Sequence, residues 1–146
     1  MIYDLKLVLT HDFDRPTGGG RQHLRILPAK AGTGIVFRRT DLDCFEIEAT
    51  GRNVAKVSYA TSLMKKGVLI STTEHVLSAC VGIGLDNAIL ELDNLELPIL
   101  DGSAKPFVEM VLKAGLKRQR RKRTYLKILR EIELREGEVH RRISRA

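Results

Sequence analysis

Glu74 and His75 place a carboxylate and an imidazole side by side at the start of an apolar run, and these two residues could do chemistry. Ser71, three residues before Glu74, fits a capping box, which predicts a helix that starts at about Thr72. In a first turn, the positive end of the helix dipole favours a carboxylate and an uncharged imidazole, and an uncharged imidazole is the form that binds a metal. A simpler interpretation stays open, because a first-turn Glu often serves only as a cap and an exposed His usually binds nothing.

The elements before this stretch are predicted to be short antiparallel strands. Between residues 22 and 59, short apolar runs alternate with Gly, Pro, Asp and Asn, a spacing typical of such strands. Val68-Leu69-Ile70 is predicted to be a strand that leads into the helix. Two glycines near the far end of that helix should let it stop near Leu85.

A second helix is predicted after two further strands. The runs 88–92 and 95–99 flank Asp93-Asn94, so the pair is interpreted as a hairpin. Ser103 is a good N-cap and Gly115 stands where a C-terminal cap is expected, which predicts a helix between them. The predicted order is strands, helix, strands and helix, and each helix is apolar on one side. This order indicates an α+β fold: a two-layer sandwich with two helices packed on one face of a mainly antiparallel sheet.

The composition is that of a single globular domain. The 146 residues are 43% hydrophobic, which is enough to bury a core. No apolar run approaches the roughly 18 residues that a membrane span needs, and residues 1–4 lack the basic and then apolar form of a signal peptide, so a cytoplasmic location is expected.

Cys44 and Cys80 are widely spaced, which argues against a disulfide framework or a zinc knuckle. Residues 11–20 are predicted to form a polar loop.

Positive charge is concentrated in the last quarter of the chain. Residues 113–146 hold 13 Lys and Arg against 4 Asp and Glu, a net charge of +9, whereas residues 1–112 carry −2. The run 117–124 is predicted to be a basic linker; binding to nucleic acid or an anionic lipid surface is the alternative, but no aromatic side chain is interleaved for base stacking. Residues 1–116 are therefore predicted to be one α+β domain. Residues 125–146 are interpreted as the start of an absent second domain, with a frayed end.

Two motifs give the chain a resemblance to a known family. One runs from Ser71-Thr72-Thr73-Glu74-His75 to Gly84-Leu85-Asp86-Asn87, and the other is Leu-Pro-Ile-Leu-Asp-Gly-Ser-Ala-Lys-Pro-Phe at residues 97–107. Together with the similar stretch 34–41, they make the chain look like the first half of UDP-3-O-acyl-N-acetylglucosamine deacetylase, the zinc amidohydrolase of lipid A biosynthesis. The resemblance covers about residues 25–138.

The resemblance implies a fold of two similar domains with an active site in the cleft between them, and this chain would carry one of the two. In the family's motif, the Glu that matches Glu74 is the general base and the His that matches His75 binds zinc. The implied reaction hydrolyses the N-acetyl group of a UDP-acyl-sugar and releases acetate. Thr73 and Asp101 are further candidates for contact with this substrate, although Asp101 also fits a purely structural turn.

The chain also departs from the family's pattern. The family's other two zinc ligands, a His and an Asp four residues apart on a helix, and its second catalytic His come from the other half, and none of the four histidines here is followed by Asp at that spacing. The family's first strand and Gly-rich turn are not matched by residues 10–20. One hypothesis is an enzyme whose site is completed by a second domain or chain. The other is a truncated, inactive module that binds a partner, or self-associates, through its orphan domain interface.

Overall fold

The computed structural model describes residues 1–14 and 21–144. Neither helix in this part of the chain has the length and hydrophobicity needed to span a bilayer. The helices are α1 (Glu74–Ile83) and α2 (Lys105–Ala114). The strands are β1 (Ile2–Leu5), β2 (Leu9–Asp14), β3 (Arg21–Pro28), β4 (Ile35–Arg39), β5 (Phe45–Glu48), β6 (Val54–Lys56), β7 (Ser62–Lys65), β8 (Val68–Ile70), β9 (Ala88–Leu92), β10 (Leu116–Gln119), β11 (Ile132–Glu136) and β12 (Val139–Ile143).

A five-stranded sheet, in the order β2-β3-β9-β4-β5, is the scaffold of the domain. β9 lies in its middle, antiparallel to β3 and parallel to β4. Leu90 of β9 stands opposite Ile26 on one side and Phe37 on the other, and all three side chains are fully buried in one core. A smaller sheet, β6-β7-β8, leads into α1.

Both helices bury one side in the same core as the sheet, and they also contact each other. The buried residues recur at helical spacing, as expected for amphipathic helices that cover a sheet. Full burial of Phe107 or Val111 stabilises the fold by about 1.5–3 kcal/mol each. The predicted α+β fold is confirmed. The buried helical side chains are Val76, Ala79 and Cys80 of α1, and Phe107, Val111 and Ala114 of α2.

The hairpin predicted for residues 88–99 was wrong. β9 pairs with β3 and β4, and residues 95–97 lie instead beside Ser71. The reason is burial: four of the five residues of β9 are buried, and a strand covered on both faces belongs in the middle of a sheet.

The predicted helix starts were displaced toward the C-terminus. α1 begins at Glu74 with Thr73 as N-cap. Ser71 does not cap it, so the capping box was wrong: the Ser71 hydroxyl lies 3.2 Å from the hydroxyl of Ser62. α2 begins at Lys105, two residues after the predicted cap. Both C-terminal caps fall on glycines with positive φ, Gly84 and Gly115, as the sequence predicts.

Expectations for both ends of the chain were wrong in part. Residues 11–14 belong to β2 and pair with β3 instead of forming a loop, while the rest of the predicted loop, 15–20, lies outside the described residues. Residues 139–143, in the end that was expected to be frayed, instead form strand β12, which pairs with β11 as an antiparallel hairpin. Gly137, with φ +58, supplies its two-residue turn. Every residue of these two strands is exposed.

The basic segment 117–124 is attached to the domain rather than free. Its first three residues belong to β10, which pairs with β1. The side chain of Gln119 donates from Nε2 to the carbonyl oxygen of Ala29 at 2.9 Å and to Oδ2 of Asp4 at 3.2 Å, and its Oε1 accepts from Nδ2 of Asn87 at 2.9 Å. A polar network thus closes the domain where strands β1 and β10 meet.

Arg123 makes a second attachment, at the end of α1. Its guanidinium donates to both carboxylate oxygens of Asp86 at 2.7 Å and to the carbonyl oxygen of Gly84 at 2.9 Å. Partial burial works to raise the pKa of Asp86, but hydrogen bonds from Arg123 and from the Tyr3 N–H outweigh it and hold the pKa below its usual value. A cation beside the last carbonyls of a helix also suits the helix dipole.

Candidate active site

The approach to α1 runs through Ser71 and Thr72, which neighbouring residues hold in place. The Ser71 N–H donates to the carbonyl oxygen of Leu95 at 2.9 Å, and its carbonyl accepts from the Leu97 N–H at 3.1 Å. Thr72 has a φ of +60, which is unfavourable for a β-branched residue. Its hydroxyl donates to Oε1 of Glu96 at 2.6 Å. This strained turn sets the direction in which α1 leaves the sheet.

Thr61, just before β7, binds the first turn of α1 at three points. Its carbonyl oxygen accepts from the N–H of Thr73 at 3.1 Å and from the hydroxyl of Thr73 at 2.9 Å. Its own N–H donates to Oε2 of Glu74 at 2.8 Å. The carboxylate of Glu74 is therefore turned toward the loop before β7 and fixed there by one of its two oxygens.

His75 lies beside this anchored carboxylate. Its Nε2 is 3.9 Å from Oε1 of Glu74, and the two side chains are 24% and 34% exposed. Val76, the next residue, is buried in the core and fixes the rotation of the helix. Within the described residues, no hydrogen bond reaches Oε1 of Glu74. A carboxylate with one open oxygen can take a proton from water, and a solvent-facing imidazole can supply one donor to a metal.

Asp101 lies in an exposed turn before α2. Its Oδ1 accepts hydrogen bonds from the hydroxyl of Ser103 at 2.8 Å and from the Ser103 N–H at 2.9 Å, and these bonds hold the pKa of Asp101 below its usual range. The Ser103 hydroxyl in turn accepts from the Lys105 N–H at 3.1 Å. These bonds give Asp101 a structural role at the start of α2, and its contact with a substrate stays a prediction.

The structure brings Glu74 and His75 together but does not complete a metal site around them. Across residues 1–14 and 21–144, no cluster of three or more His, Cys, Asp or Glu side chains could hold a metal ion. Cys80, on the same helix, is buried, and burial raises the pKa of its thiol to about 12, so it does not supply a thiolate. A catalytic zinc takes three protein ligands. The described residues therefore do not fit zinc by themselves.

Two residues of this site were not found by reasoning from the sequence. Thr61 acts through its main chain, and any residue type except proline offers the same N–H. Glu96 holds Thr72 from a segment that was interpreted as a strand. Thr73, predicted to contact substrate, is fully buried and uses its hydroxyl on Thr61. Its direct contact with a substrate stays a prediction.

Comparisons with known proteins agree on one family. A family model described as UDP-3-O-acyl N-acetylglycosamine deacetylase matches residues 17–145. The chain is 62% identical over 109 residues to the UDP-3-O-acyl-N-acetylglucosamine deacetylase of Solibacter usitatus, covering 75% of this chain and 37% of that protein. It is 45% identical over 121 residues to the deacetylase of the same name from Marinobacter nauticus, covering 82% and 40% of the two chains. The chain thus spans about two fifths of the length of the curated relatives it matches.

Proposed function

The chain belongs to the UDP-3-O-acyl-N-acetylglucosamine deacetylase family, and we propose that it supplies the amino-terminal half of that enzyme's active site. The observation that carries this proposal is the pairing of Glu74 and His75 at the solvent-facing start of α1. Residues 1–116 form the first domain in this proposal, 117–124 join it to the next, and 125–146 open the second domain. The cytoplasmic location predicted from the sequence stays part of the proposal.

The proposed reaction is hydrolysis of the N-acetyl group of UDP-3-O-acyl-N-acetylglucosamine. Glu74 acts as the general base: its carboxylate takes a proton from the water that attacks the amide. The products are acetate and a free amine on the sugar.

Zinc is the proposed cofactor of the completed site, with His75 as the ligand from this chain. Zinc in such enzymes lowers the pKa of a bound water to about 7. Because the described residues do not suffice to hold it, we propose that a second domain or chain supplies the other ligands. Thr73 and Asp101 are proposed to shape the substrate side of the site, Thr73 through its hold on Thr61 and Asp101 through the turn before α2. Family membership favours this enzyme interpretation over an inactive binding module.

Complementation tests the proposal. The chain is combined with the part of the Solibacter usitatus relative that it does not match, and acetate release from UDP-3-O-acyl-N-acetylglucosamine is measured. We expect turnover in the combined protein, and a loss of about 10²–10⁴-fold in Glu74→Gln, because general base catalysis contributes that much. Glu109→Gln, an exposed change on α2, is the matched control and should leave turnover unchanged. Retained turnover in Glu74→Gln would refute the role given to Glu74.

Metal content gives an independent readout. Elemental analysis after dialysis should find almost no zinc on the chain alone and about one zinc per combined protein, because a catalytic site needs three protein ligands. His75→Ala should lower the zinc content of the combined protein, whereas Glu74→Gln should leave it unchanged. Equal zinc content in wild type and His75→Ala would remove His75 from the ligand set.

A further inference from the structure

The two oxygens of the Glu74 carboxylate are not equivalent. Oε2 accepts a hydrogen bond from the Thr61 N–H at 2.8 Å, while Oε1 faces the imidazole of His75 at 3.9 Å. The Thr61 main chain is itself fixed, because its carbonyl oxygen accepts two hydrogen bonds from the fully buried Thr73. One peptide segment thus holds both the start of α1 and the side chain that projects from it.

We propose that Thr61 is a positioning residue, whose main-chain N–H holds Oε2 of Glu74 and so leaves Oε1 as the oxygen that takes the proton. This inference rests on the proposed function, since it assigns the general base to a single atom. A hydrogen bond from an amide to a carboxylate is charge-assisted and about twice as strong as a neutral one. It restrains rotation about the last side-chain bond of Glu74, so that the oxygen that is not bonded to Thr61 keeps a fixed position beside His75.

The position of Thr61 links the catalytic carboxylate to an exposed loop. Residues 57–61 connect β6 to β7, and within this loop Val57 is 71% exposed and Tyr59 is fully exposed. Tyr59 also has a φ of +63, a conformation that L residues rarely adopt. The carboxylate of Glu74 is therefore tied to a loop rather than to the helix that carries it. A substrate that contacts this loop would act directly on the orientation of Oε1.

Hydrogen exchange on the chain alone tests the contact without any need for activity. The Thr61 amide should be protected in the wild type and should exchange at least about tenfold faster in Glu74→Ala, which removes the acceptor. Glu74→Gln keeps an acceptor oxygen at the same place and should retain most of the protection. Equal exchange rates at Thr61 in wild type and Glu74→Ala would overturn the inference, whether or not the proposed function holds.

Kinetics of the combined protein then test the positioning role. Thr61→Pro removes the N–H and should lower kcat by about 10–100-fold with KM changed less than twofold, because a misplaced catalytic group costs rate and not binding. Thr61→Ala keeps the N–H and should therefore recover most of the kcat that is lost in Thr61→Pro, as expected for a contact made by the main chain.

A second pair of variants guards against misfolding of the proline variant. Thr73→Val removes the hydroxyl that holds the Thr61 carbonyl and should lower kcat in the same direction, and Thr73→Ser should restore it. The positioning role would be overturned if folded Thr61→Pro, or Thr73→Val, kept the wild-type kcat while Glu74→Gln was inactive. The proposed function would still stand in that case. Full turnover in Glu74→Gln would overturn both.

Discussion

Replacing Asn87 with Ala should be among the most damaging single changes in the polar network between the loop before β4 and strand β10. Asn87 is almost fully buried, and its Oδ1 accepts hydrogen bonds from the N–H groups of Gly32 at 2.9 Å and Gly34 at 3.0 Å. Its Nδ2 donates to Oε1 of Gln119 at 2.9 Å. The Asn87 side chain therefore joins the loop before β4 to strand β10.

The expected cost follows from the number of hydrogen bonds lost. Asn87→Ala removes three, and each contributes about 1 kcal/mol net, so the free energy of unfolding should fall by about 3 kcal/mol. For a chain of this size the midpoint of thermal unfolding should fall by about 10 °C. Asn87→Asp keeps both acceptor contacts to Gly32 and Gly34 but turns an oxygen toward Oε1 of Gln119. It should cost about 1–2 kcal/mol, because Gln119 can rotate its amide only by giving up its own bonds to Asp4 and to the Ala29 carbonyl.

Urea unfolding, followed by circular dichroism, measures these differences. Asn94→Ala is the matched control: it loses one exposed hydrogen bond, to the neighbouring Leu95 N–H, and should stay within about 0.5 kcal/mol of wild type. A double-mutant cycle between Asn87→Ala and Gln119→Ala should show coupling of at least about 0.5 kcal/mol. Asn87→Ala within 0.5 kcal/mol of the control, with no coupling to Gln119, would refute the reasoning.

Three further predictions concern the attachment at Arg123 and the two thiols. Arg123→Ala should release segment 117–124 and speed trypsin cleavage there, whereas wild type should be cut slowly at low protease concentration. Because the folded pKa of Asp86 lies below its usual 3.8, the attachment stabilises the fold above that pH and is lost as pH falls through the lower folded value; Asp86→Asn should remove this part of the acid sensitivity of unfolding. Cys44 is exposed and Cys80 is buried with its pKa raised to about 12, so a thiol reagent at pH 8 should modify one cysteine rapidly in the folded protein and both in urea.

The parts of the fold that were predicted correctly from the sequence are those that depend on local residue patterns. One-sided helices and glycine caps depend on residues within a few positions of each other. The α+β fold and the cap of α2 at Gly115 were therefore predicted correctly, and the predicted end of α1 near Leu85 lies within one residue of its cap at Gly84. Strand partners depend on residues far apart. The run 88–92 was interpreted as half of a hairpin with its neighbour, whereas burial of four of its five residues places it in the middle of the sheet, paired with β3 and β4.

The candidate site was predictable to the same extent. Glu74 and His75 could be predicted from the sequence because their side chains carry the chemistry and are adjacent in the chain. Thr61 was not visible, because its contribution is a peptide N–H that has no signature in the sequence. The capping role predicted for Ser71 was wrong for a related reason. A hydroxyl before a helix is typical of a cap, but the pairing of Ser71 with residues 95–97 and the turn at Thr72 place Ser71 before the N-cap position.

The pairing of β1 with β10 has a consequence for synthesis of the chain on the ribosome. Asp4 and Gln119 bond to each other although they are 115 residues apart. At about 5–20 residues per second, the first strand waits roughly 6–23 seconds before its partner has been made. During that time β1 lacks its partner strand and Oδ2 of Asp4 lacks the bond from Gln119. Oδ1 of Asp4 can already accept from the Ala29 N–H, and the helices and the five-stranded sheet can already assemble. The pairing of β1 is therefore expected to form last, and slower translation would lengthen the period in which the unpaired edge of β1 is exposed to other nascent chains.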